Sequence, residues 1–471
     1  MSGESETRFS HQWLIPTPAL DHAHYFLLPR FNCSMMETTT SLSFTEDGFE
    51  AFASVRDEPR WLSDLRVSAW KKYTELSWPA RTDEEWIRTD IRQFKLDRYS
   101  LSPEPPKPET NATALLREGV ELGGDCTSLD SQKTHSFISD KWADKGVVFG
   151  SFDEIVRSHG DLIRPYLLRR AVNPSYDKFA ALHATFMTGG AILYVPRGVV
   201  VDEPFYALSA LTDGGADFGH TLVILEDGAE ATMLSETASE DAAGGGLHCG
   251  AIELIVNPRA HLRYVNLQNW GNNVWHFAHQ KALVDRDASL QWTIAAMGAK
   301  LAKVNQHVGL IGEGANCQVN GVMFTEDKQH LSYHTLQHHE APSCRSDFLY
   351  KAGLQDKSRT VWRGMIKVDR VAQRTDGYQR NDNLLLSTNA RADSIPGLEI
   401  EADDVRCTHG STSGRVDDEL IFYARCRGYT RKEAIQMIVT GFFQKVFDRI
   451  TIESVRDALG LAIARRVREY E

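Results

Sequence analysis

The feature that most limits what this chain can fold into is a long run, from about Val147 to Val405, of short β-prone pieces with almost no helical stripe between them. The pieces are Ala191–Val195, Thr221–Leu225, Ala251–Val256, Leu262–Leu267, Val274–Val284, Leu290–Ala295, Val304–Ile311, Gln318–Phe324, Leu331–Gln337, Asp347–Lys351, Thr360–Val368 and Leu384–Leu386. Over most of the run their centres recur roughly every 10 to 16 residues, with Gly, Asn and Asp in the gaps. Many short strands without intervening helices restrict the fold to a sandwich, a barrel, a propeller or a β-solenoid. No fixed sequence repeat is apparent, which disfavours a propeller and leaves an irregular β-helix open. Only Phe152–Leu168 reads as a possible helix within the run.

The flanks differ. Apolar residues at Trp61, Leu62, Leu65, Ala69, Trp70 and Tyr73 draw one helical stripe, with Pro59 as its start signal. Four prolines within Leu101–Asn111 predict a stiff linker or surface loop, and the polar stretch Glu236–Gly246 predicts a long surface loop. After Gly414 the texture turns helical. Asp417, Asp418 and Glu419 place acid at a helix start, and Gly428 ends that helix. Thr430 with Glu433 has the pattern of a capping box and opens a helix with the stripe Ala434, Ile435, Ile438, Phe442, Val446 and Ile450. A last helix carries Val455, Leu459, Ile463 and Val467 on one side. The implied domains are a mixed, partly helical region 1–145, a β core 146–410 and a helical domain 411–471. Such a short helical tail cannot bury a large core alone and must lean on something.

With 471 residues, 42% hydrophobic and 25% charged, the chain is that of a globular protein with ample core. A net charge of −12 argues against general nucleic-acid binding. Seven scattered cysteines with no Cys-x-x-Cys pair argue against a disulfide framework or a four-cysteine zinc site, and fit a reducing cytoplasm. The N-terminus has neither a basic start nor an apolar stretch, so no signal peptide is expected, and no run approaches a membrane span. There is no P-loop motif, so the chain itself is not expected to bind ATP. Nucleophile-elbow and zincin motifs are absent too.

Two constellations could carry chemistry. Cys407 and His409 stand two apart, and a strand sends residues i and i+2 to one face; a thiol beside an imidazole suits iron or zinc. Uninterrupted alternation would set Cys407 and His409, with Glu399 and Glu401, opposite an inward row of Leu398, Ile400 and Ala402; a turn at Asp403-Asp404 would change that count. Spacing alone also allows a buried thiol beside a hydrogen-bonded His. The second constellation is His330, His334 and His338, which share a strand parity while His339 faces away. Positions four apart on a strand lie about 13 Å apart, so this row cannot by itself enclose one ion. His334 and His338 are the weaker metal candidates, with a polar strand face or a subunit contact as the alternative.

The stretch Arg406-Cys-Thr-His-Gly-Ser-Thr-Ser-Gly-Arg-Val-Asp-Asp-Glu-Leu-Ile-Phe-Tyr-Ala-Arg-Cys-Arg-Gly428 closely resembles the signature of the SufB/SufD family of iron–sulfur cluster assembly proteins. Gly364–Val368, Ala372–Asp376, Asn383–Ser387 and Pro396–Ile400 agree in the family's order, so the resemblance covers about Val147 to Ile450. It implies a mainly β fold: a right-handed parallel β-helix core with a C-terminal helical domain that binds the SufC ATPase. Asp417, Glu419, Phe422, Tyr423, Arg427 and Phe442 are the candidate docking residues. It further implies a SufB-type paralogue or a second copy as partner, and a transient iron or iron–sulfur cluster at their interface, with His409 first and Cys407 second as ligand candidates. Ala390 stands where SufB-type chains carry a cysteine, and His409-Gly-Ser-Thr412 has Gly in place of their Glu, so the chain looks SufD-like. Such a protein is a scaffold and not an enzyme. The alternatives are a SufB-like scaffold, a β-helix carbohydrate-active enzyme, or a cupin-like metalloenzyme using His334 or His338.

Overall fold

The computed structural model describes residues 42–102, 112, 114–239 and 245–468. Its body is a parallel β-solenoid of about 8 turns, each turn giving one strand to each of two facing sheets. The first sheet stacks, in spatial order, β2 (Gln132–Ile138), β1 (Gly124–Leu129), β5 (Phe205–Leu211), β8 (Glu230–Ser239), β10 (His261–Trp270), β12 (Ser289–Gly298), β14 (Asn316–Thr325), β16 (Arg345–Leu354), β18 (Thr375–Leu385) and β20 (Val405–Arg415). The second stacks β19 (Arg391–Ile400), β17 (Arg359–Val368), β15 (His330–His339), β13 (Leu301–Leu310), β11 (Val274–Val284), β9 (Gly246–Val256), β7 (His220–Leu225), β4 (Ala191–Val195) and β3 (Val148–Ser151), with the short β6 (Ala216–Asp217) against β9. Coils stay in register: Leu301 pairs with His330, and His330 with Arg359. Antiparallel pairs, β1 with β2 and β3 with β4, occur at the N-terminal end. The parallel stacking of the coils excludes the cupin-like reading, because cupins are antiparallel jelly rolls.

The corner from the second sheet to the first explains why no repeat shows in the sequence. Gly228, Arg259, Asp287, Gly314, Ser343 and Arg374 all take positive φ there. Their N–H groups donate to the next coil's corner: Arg259 to the Arg286 carbonyl, Asp287 to Glu313, Gly314 to Pro342, Ser343 to Gln373 and Arg374 to Asp404. One backbone geometry recurs while residue types change, and the ladder of corner hydrogen bonds absorbs the strain of the left-handed residues.

Apolar side chains of all sizes fill the solenoid, from Ala302, Val304, Val308 and Leu310 of β13 to Trp292, Tyr333 and Trp362. On the outer face of the second sheet lie α1 (Glu46–Ser54), α2 (Arg60–Glu75), α4 (Phe152–Ile163) and α5 (Lys178–Phe186), while α3 (Asp140–Ala143) buries Trp142 in the cluster inside the solenoid. Of these, α1, α2 and α5 help form an aromatic cluster in which Phe179 stacks on Phe277 with ring centroids 3.8 Å apart. Arg66 of α2 is buried, 3.0 Å from Glu58 and from the Thr185 carbonyl. The helix expected after Pro59 is α2, with Pro59 at its N-cap.

The C-terminal helices are α6 (Asp418–Cys426), α7 (Arg431–Phe447) and α8 (Glu453–Arg466). Asp417 caps α6, the Thr430–Glu433 capping box opens α7, and Gly428 at φ 94° lies between them. What they lean on is the outer face of the first sheet. Ala434, Ile435, Val439, Phe443, Val446 and Phe447 of α7, with Val455, Leu459 and Ile463 of α8, bury themselves against Val265, Met297, Val322, Phe324 and Leu349. The buried stripe of α7 thus falls on Val439 and Phe443, and the expected Ile438 and Phe442 are only partly buried. Sequence periodicity could not resolve this rotation because both alternatives are apolar.

Glu236–Ser239, expected in a loop, completes β8; residues 240–244 of that loop lie outside the described residues. The Glu236 carboxylate is buried because it accepts the Leu115 and Leu116 backbone N–H groups and the Tyr206 hydroxyl, at 2.8–3.1 Å. In the proline-rich stretch, Leu101 bridges to Leu42, and residues 103–111 lie outside the described residues.

Phe443→Ala should lower stability by about 3–5 kcal/mol by opening a cavity under α7, while Phe422→Ala on the exposed side of α6 should change it by less than about 0.5 kcal/mol; denaturant titration of both variants checks this. A pH dependence follows from buried histidines. Burial, aided by the His220, His248 and His279 charges, holds His183 well below the usual imidazole range, and burial with His248 does the same to His276. Burial and Arg359 push His330 down to about 4 against Asp393 and Asp90. Burial with Lys303 and Arg363 pushes His334 to about 2. All four stay neutral in the fold and protonate in the unfolded chain near pH 6.5. Their stabilisation is therefore complete above pH ~6.5 and lost progressively as pH falls toward the folded values. His338, raised by Glu340 and Asp369 against its own desolvation, works the other way but is one group against these four, and burial lowers His307 and His339 as well. The melting temperature should fall between pH 7.5 and 5; a flat or rising profile contradicts this.

Candidate functional site

In a parallel solenoid each coil covers the backbone edge of the coil before it. At the C-terminal end this stops: among the described residues β19 pairs only with β17 and β20 only with β18. Among the described residues both edges are open, and no further coil lies above the inward-facing side chains of this one. Leu398 and Ile400 sit in register over Ile366 and Val368. The lower pair is fully buried, whereas Leu398 and Ile400 are 39% and 40% exposed.

Cys407 and His409 are carried on β20, in register with Gly377 and Gln379 of β18. The strands β19 and β20 are separated by a bend at Asp403-Asp404. The bend resets the alternation and corrects the uninterrupted count: Val405 and Cys407 join the inner cluster of Ile366, Val368, Ala372 and Ala402. Cys407 is half-buried. The thiol is raised mainly by desolvation and further by Asp376, against the Gly377 N–H. It is therefore a protonated thiol at neutral pH and must release its proton to bind a metal or sulfur. Gly377 leaves it room, since a Cβ there would stand 3.3 Å from the Cys407 sulfur. His409 is exposed and makes no side-chain hydrogen bond to the described residues. Two donors, one thiol and one imidazole, supply only part of a metal's coordination shell, so a cluster at this edge needs ligands from elsewhere.

Behind this edge the interior turns polar. Asn383 Nδ2 donates to Asn381 Oδ1 at 2.9 Å, Ser394 Oγ at 3.1 Å and Ser413 Oγ at 3.2 Å, tying β18, β19 and β20 together. Thr412 donates to Asp382 at 2.6 Å. These residues escaped the sequence reading. Their only signal is that Gln379, Asn381 and Asn383 put polar groups at alternate positions of one strand, and the inner parity has to be known before that means anything.

The remaining candidates lie elsewhere. His334 and His338 are on the outward side of β15, and the structure does not unite them. His334 lies near Lys303 and Arg363, two cations unfavourable to a metal ion. His338 falls beside His307 and Glu340. His339 faces away from that row as expected, and it is buried, 2.8 Å from Ser346. Asp417, Glu419, Phe422, Tyr423 and Arg427 are exposed on and around α6, with Phe422 at 69% and Tyr423 at 58%. Arg427 donates to the Tyr423 hydroxyl at 2.6 Å. Phe442 lies on α7, partly covered by Lys351, whose ammonium donates to its carbonyl at 2.7 Å. Among the described residues no helix is long and apolar enough to cross a membrane.

Residues 208–442 match the family model described as SUF system FeS cluster assembly, SufBD core domain, and residues 50–206 match the SufBD protein N-terminal region. An iron-sulfur cluster assembly SufBD family protein of Staphylococcus epidermidis is 26% identical over 426 residues, covering 87% of this chain and 90% of the relative. Those of Staphylococcus saprophyticus and Staphylococcus aureus are 26% and 25% identical over the same coverage. With the solenoid, its open terminal coil and these matches spanning almost all described elements, the chain belongs to the SufBD family of iron–sulfur cluster assembly proteins.

Proposed function

We propose that this chain is a SufD-like, non-catalytic scaffold of a cytoplasmic SUF complex, pairing through its terminal coil with a SufB-type paralogue and docking a SufC-type ATPase on α6. The observation that carries this reading is the open end. Two strand edges and the half-exposed Leu398 and Ile400 form a surface that a second solenoid edge can continue, supplying both backbone hydrogen bonds and apolar cover. Iron or a nascent cluster is the cargo there. His409 offers a freely accessible imidazole, and Cys407 a thiol that ionises as metal binds. Ala390, buried at the start of β19, has no sulfur to add, so the further ligands come from the paralogue. A SufB-type partner favours the heterodimer over a self-pair for this reason.

The ATPase surface rests on α6. Leu420, Phe422 and Tyr423 are 52–69% exposed on one short helix while Ile421 alone is buried, and large exposed aromatics are what interface hot spots are made of. Because α7 is packed into the solenoid wall, a pull on α6 reaches β14 and β16 through one rigid layer. Removing α7 and α8 would uncover Val322 and Phe324, so substitutions on the exposed side of α6 are the cleaner test.

His409→Ala should leave complex formation intact and lower cluster assembly in the reconstituted complex by roughly tenfold or more, the range expected for loss of a metal-site group; unchanged assembly removes His409 from the mechanism. Phe422→Ala with Tyr423→Ala should weaken ATPase binding by about tenfold or more with the far-ultraviolet dichroism unchanged. Full retention of the ATPase in a pull-down would move the docking surface elsewhere.

A further inference from the structure

A second group of metal-ligating side chains lies on the outward face of the second sheet, away from the terminal coil. His307 is on β13, His338 on β15, and Glu340 just after β15. One ligand atom of each lies within 4.8 Å of the other two. Parallel register makes the group possible. His307 pairs with Leu336 and Gly309 with His338, so His307 and His338 are diagonal neighbours, with ring centroids 5.8 Å apart. Gly309 lies between them in the ladder, and a Cβ there would come within 3.1 Å of the Glu340 carboxylate. The glycine therefore leaves the space that the carboxylate uses.

We propose that His307, His338 and Glu340 form a mononuclear site for a first-row divalent metal ion, Fe(II) or Zn(II). His338 Nδ1 stands 3.2 Å from Glu340 Oε1. Two ligands bonded at about 2.1 Å to one ion are about 3.0–3.4 Å apart in octahedral or tetrahedral geometry, so this pair is already spaced to share an ion. The other nitrogen of His338 is 2.9 Å from Asp369 Oδ1. A carboxylate on the far nitrogen fixes the tautomer, so that Nε2–H donates to Asp369 and the Nδ1 lone pair faces the ion. His307 contributes the third donor by a small rotation. Its Nε2 is buried and has no hydrogen-bond partner among the described residues, a cost that coordination or a water would relieve. Two imidazoles and one carboxylate leave coordination positions open, the donor set of non-haem Fe(II) and of catalytic zinc sites. His338 and Glu340 are 19% and 35% exposed, which gives an ion access. Lys281, in register with His307, and Lys367, in register with His338, oppose a cation; Glu340 and Asp369 face them, and Lys367 is itself paired with Glu399 at 3.0 Å. The site does not depend on the reading of the open end.

The test is anaerobic titration of the chelator-treated full chain with Fe(II) and, separately, Zn(II), by equilibrium dialysis. It is done in a Cys407→Ser, His409→Ala background so that the terminal coil cannot contribute. One ion per chain is expected to remain bound. His338→Ala and Glu340→Gln should each weaken binding by at least about tenfold, and Asp369→Asn by roughly 10–100-fold. His334→Ala, on the same face of the same strand, should have no effect. Thermal melts of each variant verify folding; Glu340→Gln and Asp369→Asn alter partly exposed groups and decide the matter if His338→Ala does not fold. Cobalt(II) absorption that shifts with Asp369→Asn separates a ligand-orienting role from a merely structural one. Binding that is absent in the background chain, or unchanged by both His338→Ala and Glu340→Gln, overturns the proposal.

Discussion

Everything in this molecule depends on the parallel ladder being finished coil by coil. A strand in the middle of either sheet has its N–H and C=O groups satisfied by the coils before and after it, and its inward side chains roofed by the next layer. The corner residues repeat the rule with their own hydrogen bonds, from Arg259 to Arg374. Such a structure has no intrinsic way to end. At the N-terminal end antiparallel strands terminate it. At the C-terminal end the chain leaves for its helices instead, which cover the outer face of the first sheet and leave the last coil bare. The functional reading follows from that incompleteness, because the last coil is also the one that carries Cys407 and His409.

Much of this was legible in the sequence. The succession of short strands separated by Gly, Asn and Asp limited the architecture, the start signals at Pro59, Asp417 and Thr430 placed three helices, and the order of motifs around Cys407 pointed to the family. What was not legible has identifiable causes. The coils share a backbone path whose left-handed corner is held by Gly, Arg, Asp or Ser in turn, so no residue repeat appears. Cys407 faces the solenoid interior because a bend at Asp403-Asp404 restarts the alternation, and parity counted through a corner has no meaning. Glu236 reads as loop because a carboxylate in a strand is costly until its partners, two backbone N–H groups 120 and 121 residues away, are known. His307 and His338 are neighbours only across the ladder. A scan along the chain finds His334 with His338, which the strand holds apart.

The polar interior beneath the last coil separates two demands. The earlier coils are mainly apolar inside, with single polar pairs such as Trp292–Asn266 and Tyr333–Gln268 among them. Near the end the polar groups gather, and Asn381, Asn383, Ser394 and Ser413 tie three strands together by side-chain hydrogen bonds. Buried polar networks specify geometry at some cost in stability, and here they hold β20 in register although no coil of the described residues lies beyond it. The thiol of Cys407 sits at the boundary between the two regimes, protonated in the isolated chain and close to the solvent edge where a metal could displace its proton.

The central claim is that the edges of β19 and β20 are unfinished in this chain and completed by another. Amide hydrogen exchange of peptides spanning 391–400 and 405–415, measured on the isolated chain and after addition of a SufB-type paralogue, tests it most directly. The account predicts rapid exchange along these two strands in isolation and strong protection of both on mixing, with β13 and β15 unchanged. Equal exchange in the two samples, with complex formation verified, would show that the partner binds elsewhere and would contradict it.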